Sequence, residues 1–261
     1  MKKVRLYVND TKCEALVNKN KICEALKYYG YEEVESNEDI VIGLGGDGTL
    51  FRFLKDANYD VAAKYIGVNC GTLGFLQDFD VTDEYDFVSN IPNYISQKLC
   101  FAELKITIDE KTKMFYALNE FSLHHTKYKS FKTSVYVENE KLEDFVGTGI
   151  VFSTPTGSTA LNLSAGGCIL HQSLEVIQMT PREAITNSKM HSLSKSICIP
   201  KGMDFSLKPI STEDEISIDS DGENIYSGKY NSIRISFSDK GIYLLKSSNV
   251  NFIKTIREKL I

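Results

Sequence analysis

The first third of the chain alternates apolar runs with segments of helical periodicity. Apolar runs at Val4–Val8, Ile40–Leu44 and Tyr65–Val68 predict three strands. Unbroken apolar strands joined by helices are typical of a parallel sheet that is covered on both faces. We therefore predict a doubly wound, Rossmann-like α/β domain over residues 1–96, with ligands at the carboxyl ends of its strands.

Two helices are predicted between these strands. The first begins with a capping-box pattern at Thr11 and ends at Gly30. The second follows Thr49, and helical spacing predicts that one stripe of its residues is buried. That stripe consists of Leu50, Phe51, Leu54 and Ala57.

The pattern changes near residues 92–96, after which apolar and polar positions alternate. Such alternation, broken by short polar turns, is typical of antiparallel strands. The predicted strands are Leu104–Ile108, Met114–Leu118, Ser134–Val137, Ile216–Ile218, Ile233–Phe237 and Ile242–Leu245, with a turn at Asp239–Gly241 between the last two. We predict an antiparallel, β-sandwich-like domain over 97–248 and a helix over 249–261 that packs back on the first domain.

Composition excludes several functional classes. The net charge of −5 argues against a nucleic-acid partner, which needs a basic face. No segment approaches the roughly 18 apolar residues of a membrane helix, and we expect no signal peptide. The six cysteines contain no C-x-x-C pair, so reduced thiols in a cytoplasmic protein are expected.

The chemistry of the chain is suggested first by Gly45–Thr49, which reads GGDGT directly after the second strand. Glycines let the backbone approach a phosphate, and the amides at a helix start favour an anion. Asp47 would repel that anion unless it holds a metal ion or takes a proton from an attacking hydroxyl. The turn therefore favours phosphoryl transfer over simple nucleotide binding.

A dinucleotide-binding dehydrogenase is an alternative, because residues 43–48 also satisfy G-x-G-x-x-G. That fingerprint normally lies in the first βαβ unit and is followed by an acid at the end of the next strand. Here it follows the second strand, and the next strand ends in Asn69. The G-x-x-x-x-G-K-[ST] phosphate loop is absent from the sequence, which argues against an ordinary P-loop kinase.

Three further segments carry candidate binding groups. Residues 67–76 form a second glycine-rich turn, and residues 153–167 combine serine and threonine hydroxyls with glycines. Hydroxyls and helix-start amides together suit ribose and phosphate groups. Asn119 and Glu120 follow a predicted strand and could bracket a ribose diol or an adenine edge.

Taken together, the four segments resemble the NAD kinase family in order and spacing. The resemblance covers nearly the whole chain. Residues 153–160 (STPTGSTA) are its most specific part, since GGDGT is shared with diacylglycerol and sphingosine kinases. It implies transfer of the terminal phosphoryl group of ATP, or of polyphosphate, to the adenosine 2′-hydroxyl of NAD, which makes NADP. It also implies Mg²⁺ as the cofactor, held through the donor phosphates rather than by a protein cage, and a homotetramer arranged as a dimer of dimers.

The resemblance also assigns roles to individual residues. Asp47 corresponds to the catalytic acid/base of the family. The residues that would bind NAD are Gly46, Gly48, Phe75, Asn119, Glu120, Thr148, Thr156, Thr159, Ala160, Leu161, Ser164 and His191. His191 would reach the site of a neighbouring subunit.

Two positions depart from the family pattern. The family has an aspartate, which contacts the nicotinamide half, where this chain has Thr148, and a tyrosine that stacks on adenine where it has Leu161. Loss of an aromatic stack removes about 0.5–1.5 kcal/mol. We therefore expect altered dinucleotide selection, with the choice between NAD and NADH and the choice of donor left open.

Two alternatives to an NAD kinase follow from these departures and from the shared GGDGT turn. The first is a non-catalytic or altered-specificity dinucleotide-binding protein. The second is a lipid kinase of the diacylglycerol type, although the sequence shows no basic amphipathic helix of the kind that docks on lipid.

Overall fold

A computed structural model describes residues 2–8, 13–70, 74–127, 129–187, 191–247 and 252–261. The chain divides into two compact units. Unit 1 comprises Met1–Leu99 and Gly241–Ile261, and unit 2 comprises Cys100–Lys240. The domain boundaries predicted after residues 96 and 248 stay predictions.

The helices and strands are numbered in chain order. The helices are α1 (Cys13–Tyr28), α2 (Asp47–Asp56), α3 (Glu84–Asn90), α4 (Leu161–Ser164) and α5 (Phe252–Leu260), with 3₁₀ turns at Ile91–Asn93 and Gly157–Thr159. The first eight strands are β1 (Lys3–Val8), β2 (Glu32–Glu33), β3 (Ile40–Gly45), β4 (Lys64–Asn69), β5 (Ile95–Ile108), β6 (Lys111–Ala117), β7 (Glu120–His124) and β8 (Phe131–Val137). The others are β9 (Glu140–Gly147), β10 (Gly149–Ser153), β11 (Val176–Arg182), β12 (Ile197–Pro200), β13 (Asp204–Lys208), β14 (Glu215–Ser220), β15 (Glu223–Lys229) and β16 (Ser232–Lys246).

Unit 1 is built on a parallel sheet. Its strand order is β2-β1-β3-β4 followed by the last residues of β16, and all of these neighbours pair in parallel. Every residue of β3 is buried, as expected for a central strand that is covered on both faces. The α/β prediction for this part of the chain is confirmed.

Two helices of unit 1, α1 and α2, were predicted between its strands, whereas α3 was not. Helix α2 begins at Asp47, three residues before its predicted first residue, Leu50, and its buried residues include Phe53, whereas Phe51 and Ala57 are only half-buried. Positions i, i+3 and i+4 share one helix face, so Leu50, Phe53 and Leu54 lie inward together, and the prediction for Phe51 was wrong. The predicted cap at Thr11 lies outside the described residues.

Unit 2 consists of antiparallel strands in two sheets. One sheet has the order β12-β11-β10-β7-β14-β15, and the other contains β13 between β8 and β16. The rings of Phe152 in β10 and Phe205 in β13 lie 5.3 Å apart, and both side chains are fully buried. The sheets therefore pack face to face through an aromatic core, which confirms the sandwich-like prediction.

Two predictions within this β region were wrong. The turn predicted at Asp239–Gly241 lies inside β16, which joins the last two predicted strands into one. The strand predicted to end at Leu118 ends at Ala117, so that Leu118 and Asn119 connect β6 to β7.

Candidate active site

The GGDGT turn of unit 1 lies at the carboxyl end of β3. Gly45 ends this strand with a φ of 155°, a conformation that favours glycine. Gly46 is the N-cap residue, and Asp47 is therefore the first residue of α2. The first amides of this helix lack helical acceptors, which makes the turn a suitable place for an anion.

The carboxylate of Asp47 is fixed by two backbone amides. Oδ2 accepts a hydrogen bond from the N–H of Phe75 at 2.7 Å, and Oδ1 accepts one from the N–H of Leu76 at 2.9 Å. The side chain is half-buried. A carboxylate has about four acceptor positions, so these two bonds hold it in place and leave capacity for a proton or a hydroxyl group.

The loop after β4 packs directly on the GGDGT turn. A Cβ added at Gly74 would collide with the Asp47 carboxylate. Gln77 is buried, and its Nε2 donates to the carbonyl of Gly46 at 3.1 Å. The two glycine-rich segments that the sequence singles out thus meet around Asp47; residues 71–73 of the second segment lie outside the described residues.

The side chain of Phe75, whose backbone N–H donates to Asp47, is half-buried, and its ring contacts the C-terminal helix. The Nζ of Lys259 lies 4.7 Å from the centroid of its ring. Sequence reasoning did not predict this contact, because nothing in the periodicity of α5 points to a particular partner.

In unit 2, the backbone of the Asn119–Glu120 segment is held by an aspartate that sequence reasoning missed. The carboxylate of Asp221 accepts hydrogen bonds from the N–H groups of Leu118 at 2.8 Å, Asn119 at 2.7 Å and Glu120 at 3.2 Å. The only signal for Asp221 in the sequence is an Asp-Gly turn pattern. Its carboxylate fixes the two predicted binding residues at the start of β7.

Glu120 is 6% exposed, and burial, followed by the nearby charge of Asp221, raises the pKa of its carboxyl to about 8. Its Oε2 has no hydrogen-bond partner among the residues that the structure describes. A buried polar atom without a partner is costly and often marks a functional site. At neutral pH this side chain is mainly protonated and can donate a hydrogen bond.

The serine- and threonine-rich segment packs against Asn119. The N–H of Thr154 donates to the carbonyl of Asn119 at 2.9 Å, and Thr154 Oγ1 donates to the carbonyl of Leu118 at 2.6 Å. A Cβ added at Gly157 would collide with the backbone of Asn119. The structure thereby brings together two segments that the sequence separates by more than 30 residues.

Some of the hydroxyls in this segment have structural partners. Ser153 Oγ donates to the carbonyl of Thr154 at 2.8 Å, and Ser158 Oγ donates to the carbonyl of Pro155 at 2.7 Å. Among the predicted binding residues, Thr156 is buried, Thr159 and Ala160 are half-buried, and Leu161 and Ser164 are exposed. The exposed residues, Leu161 and Ser164, can present their side chains to a ligand.

Thr148 is exposed between β9 and β10, where its N–H donates to the carbonyl of Arg182 at 3.0 Å. It lines a cavity of about 720 Å³ within unit 2. The described lining residues include four with basic side chains, His124, His125, Lys127 and Lys129. Of these, His124 lies 3.6 Å from a carboxylate oxygen of Asp219, and Lys127 lies 3.9 Å from one of Glu215. His191 is exposed and pairs in an isolated β-bridge with Thr186, the residue after Ile185, which lines the same cavity.

Two kinds of feature are absent from the described part of the chain. It contains no helix long and apolar enough to cross a membrane. Nor does it contain a group of three or more His, Cys, Asp and Glu side chains arranged to hold a metal ion.

Comparison with known proteins identifies both parts of the chain. Residues 2–98 match the ATP-NAD kinase N-terminal domain, and residues 118–247 match the ATP-NAD kinase C-terminal domain. The NAD kinase of Finegoldia magna is 32% identical over 78% of this chain and 77% of its own length. The NAD kinase of Lactobacillus johnsonii is 31% identical over 99% of this chain and 97% of its own length.

Solved structures of the same fold lie at lower sequence identity. A yeast NADH kinase complexed with NADH is 19% identical, with a TM-score of 0.87 over 100% of this chain and 87% of that one. An NAD kinase from Archaeoglobus fulgidus in complex with ATP is also 19% identical, with a TM-score of 0.77 over 98% of both chains. With both domain models matched and relatives above 30% identity that align nearly end to end, the chain belongs to the NAD kinase family.

Proposed function

We propose that this chain is an ATP-dependent NAD kinase. It transfers the terminal phosphoryl group of ATP to the adenosine 2′-hydroxyl of NAD and releases NADP and ADP. Family membership supports this activity, as do the curated relatives named NAD kinase and the similar fold of an NAD kinase in complex with ATP. Among the observations on this chain, the one that carries the proposal is the Asp47 carboxylate, held by two amides at the start of α2.

Asp47 acts as the general base. Its carboxylate accepts the proton of the 2′-hydroxyl while that oxygen attacks the terminal phosphorus. A new oxygen–phosphorus bond forms, and the bond to the bridging oxygen breaks, so that ADP leaves with the electron pair. General base catalysis typically contributes on the order of 10²–10⁴ in rate.

The glycines beside Asp47 leave room for the donor. A Cβ added at Gly46 or Gly48 would meet no described atom within 4 Å, so both positions border open space. A phosphate group in that space would face the first amides of α2, which favour an anion. Positioning of the phosphate by this helix start supplies a further part of the rate enhancement.

Mg²⁺ is proposed as the cofactor. It prefers oxygen ligands and is usually bound by one or two carboxylates together with substrate phosphates. We propose that the donor phosphates hold the ion, so that the acceptor capacity that Asp47 keeps after its two amide bonds remains available for the proton of the hydroxyl. When bound, the ion would neutralise charge on the donor phosphates.

The residues proposed to bind the acceptor belong to unit 2. We propose that the protonated carboxyl of Glu120 donates a hydrogen bond to the adenosine ribose and that the amide of Asn119 contacts the same group. Residues around Gly157 would meet the adenine: Thr156, Thr159, Ala160, Leu161 and Ser164. The burial of Glu120 and the packing of Gly157 on Asn119 support these roles.

Several finer features extend the proposal. We propose that the chain assembles as a homotetramer in which His191 reaches a neighbouring site, that it is cytoplasmic, and that polyphosphate is an alternative donor. Thr148 is neutral, and the described residues that line the same cavity include no carboxylate that would favour a cationic nicotinamide over a neutral one. NADH is therefore proposed as an acceptor alongside NAD.

The experiment that tests the function combines each acceptor with each donor. The purified chain is incubated with Mg²⁺, with ATP or polyphosphate, and with NAD or NADH, and NADP or NADPH is measured. The proposal predicts phosphorylated product with ATP. Dinucleotide binding without product under any condition would favour a non-catalytic protein. Absence of both binding and product would favour another acceptor, such as diacylglycerol.

A further inference from the structure

The C-terminal helix places a cation beside the predicted base. Lys259, near the end of α5, holds its Nζ 4.7 Å from the centroid of Phe75. This distance is well within the range of about 6 Å over which an aromatic face attracts a cation. The backbone N–H of Phe75 donates to Asp47, so one residue connects the lysine to the carboxylate.

The surroundings of Lys259 are unusual for a lysine of a surface helix. Its side chain is half-buried, and burial lowers the pKa of its ammonium group, while the charges of Asp47 and Asp78 oppose that shift and Lys246 adds to it. Its ammonium lies over the aromatic ring rather than in an ion pair with a described carboxylate. A partly desolvated cation of this kind has capacity for an anionic ligand.

The charged groups around Lys259 leave its ammonium group available for an anionic ligand. The Oδ2 atom of Asp78 lies 3.7 Å from Nζ of Lys246. Both side chains are largely buried, with 10% of Asp78 and 11% of Lys246 exposed. Glu258 also acts on Lys259 and is itself paired with Lys254. The local set is thus three lysines and three carboxylates, which is close to neutral before any substrate binds. A phosphoryl group that approached Asp47 without a further cation would be repelled by its carboxylate.

We propose that Lys259 binds the phosphates of the donor and offsets the negative charge that gathers around Asp47 during phosphoryl transfer. The inference rests on the proposed function. Lysine and arginine commonly hold transferring phosphoryl groups in this way, because they stabilise charge on the equatorial oxygens. Phe75 then has two roles: its amide fixes the base, and its ring holds the cation.

The same helix provides a matched control. Lys254 is exposed and lies 3.9 Å from Glu258, four residues along the helix, in an ordinary surface pair. The variants Lys259→Met and Lys254→Met each remove one positive charge and keep most of the aliphatic stem. Lys259→Arg keeps the charge, including its favourable position in the last turn of the helix.

The experiment measures kcat and KM for ATP and for NAD, together with the melting temperature, in the full-length variants and the wild type. We expect Lys259→Met to lower kcat/KM for ATP by about 10- to 100-fold, with KM for NAD and the melting temperature little changed. Lys259→Arg should restore most of the activity, and Lys254→Met should match the wild type.

Wild-type kcat/KM in Lys259→Met would overturn the proposal. So would an equal loss of activity in Lys259→Arg, or a loss in Lys259→Met that follows its melting temperature, since both results would indicate a purely structural role. If the wild type itself made no NADP, the proposed function would fail instead, so the two failures are distinguishable.

Discussion

Two carboxyl groups of this chain have opposite surroundings. Asp47 accepts two backbone amide bonds at the start of a helix, where a negative charge is favourable. Glu120 is buried, and its Oε2 has no partner in the described part of the chain. The same functional group is therefore suited to accept a proton at one position and to donate a hydrogen bond at the other.

The raised pKa of Glu120 predicts how stability depends on pH. At pH values below about 4.5 the carboxyl is protonated in both folded and unfolded chains. Between 4.5 and about 8 the unfolded chain loses this proton while the folded chain retains it, so the contribution of Glu120 to stability falls as the pH rises. Glu120→Gln removes this dependence. We expect the melting temperature of the variant, relative to the wild type, to be higher at pH 8 than at pH 5.

The melting temperatures of the variant and the wild type are measured without ligand. The quantity of interest is how far the difference between the two proteins changes from pH 5 to pH 8. Any loss of stability from the replacement itself is the same at both pH values and cancels in that change. If the melting-temperature difference between variant and wild type were the same at pH 5 and pH 8, Glu120 would be ionised in the folded chain at neutral pH. It could then not act as a hydrogen-bond donor.

At the scale of elements, two close backbone contacts position the predicted residues. Gly74 packs on the Asp47 carboxylate, and Gly157 packs on the backbone of Asn119. Each contact joins segments that are distant in sequence. A side chain at either glycine would need the facing group to move, and a backbone group moves less easily than the end of a side chain.

Gly157→Ala should therefore destabilise the chain, by about 1–3 kcal/mol, the usual cost of overpacking. Gly48→Ala is the matched comparison for stability, since an added Cβ there meets no described atom within 4 Å and alanine is favoured in a helix by about 0.5–1 kcal/mol. We expect thermal unfolding to show a lower melting temperature for the first variant and an equal or higher one for the second. Equal melting temperatures would contradict the packing of Gly157 on Asn119.

The elements that the sequence predicts well are those with simple patterns. The buried strand Ile40–Gly45 and the glycine turn after it follow from an unbroken apolar run. Strands β2, β7, β9 to β13 and β15 were missed. Strands β7 and β10 are buried almost throughout and therefore show no alternation, whereas most residues of β9 and β15 are polar and exposed or half-buried. The predicted turn at Asp239–Gly241 was wrong because pairing partners on neighbouring strands keep β16 extended through polar residues.

At the scale of the whole molecule, the predicted site residues are divided between the two compact units. Asp47 and Phe75 belong to unit 1, and Glu120 and Thr148 belong to unit 2. The order and spacing of the motifs along the sequence were enough to predict these four residues as candidates. Asp221 was not predictable, because it holds a backbone more than 100 positions away, and a local pattern carries no information about such a contact.

The central claim is that Asp47 takes the proton of the attacking hydroxyl, and the turnover number of Asp47→Asn tests it most directly. Asparagine keeps the size of the side chain and one oxygen acceptor but cannot act as the base. We predict that kcat for NADP formation falls at least about 100-fold while NAD binding, measured by calorimetry, stays close to that of the wild type. A folded Asp47→Asn enzyme with wild-type kcat would contradict the account.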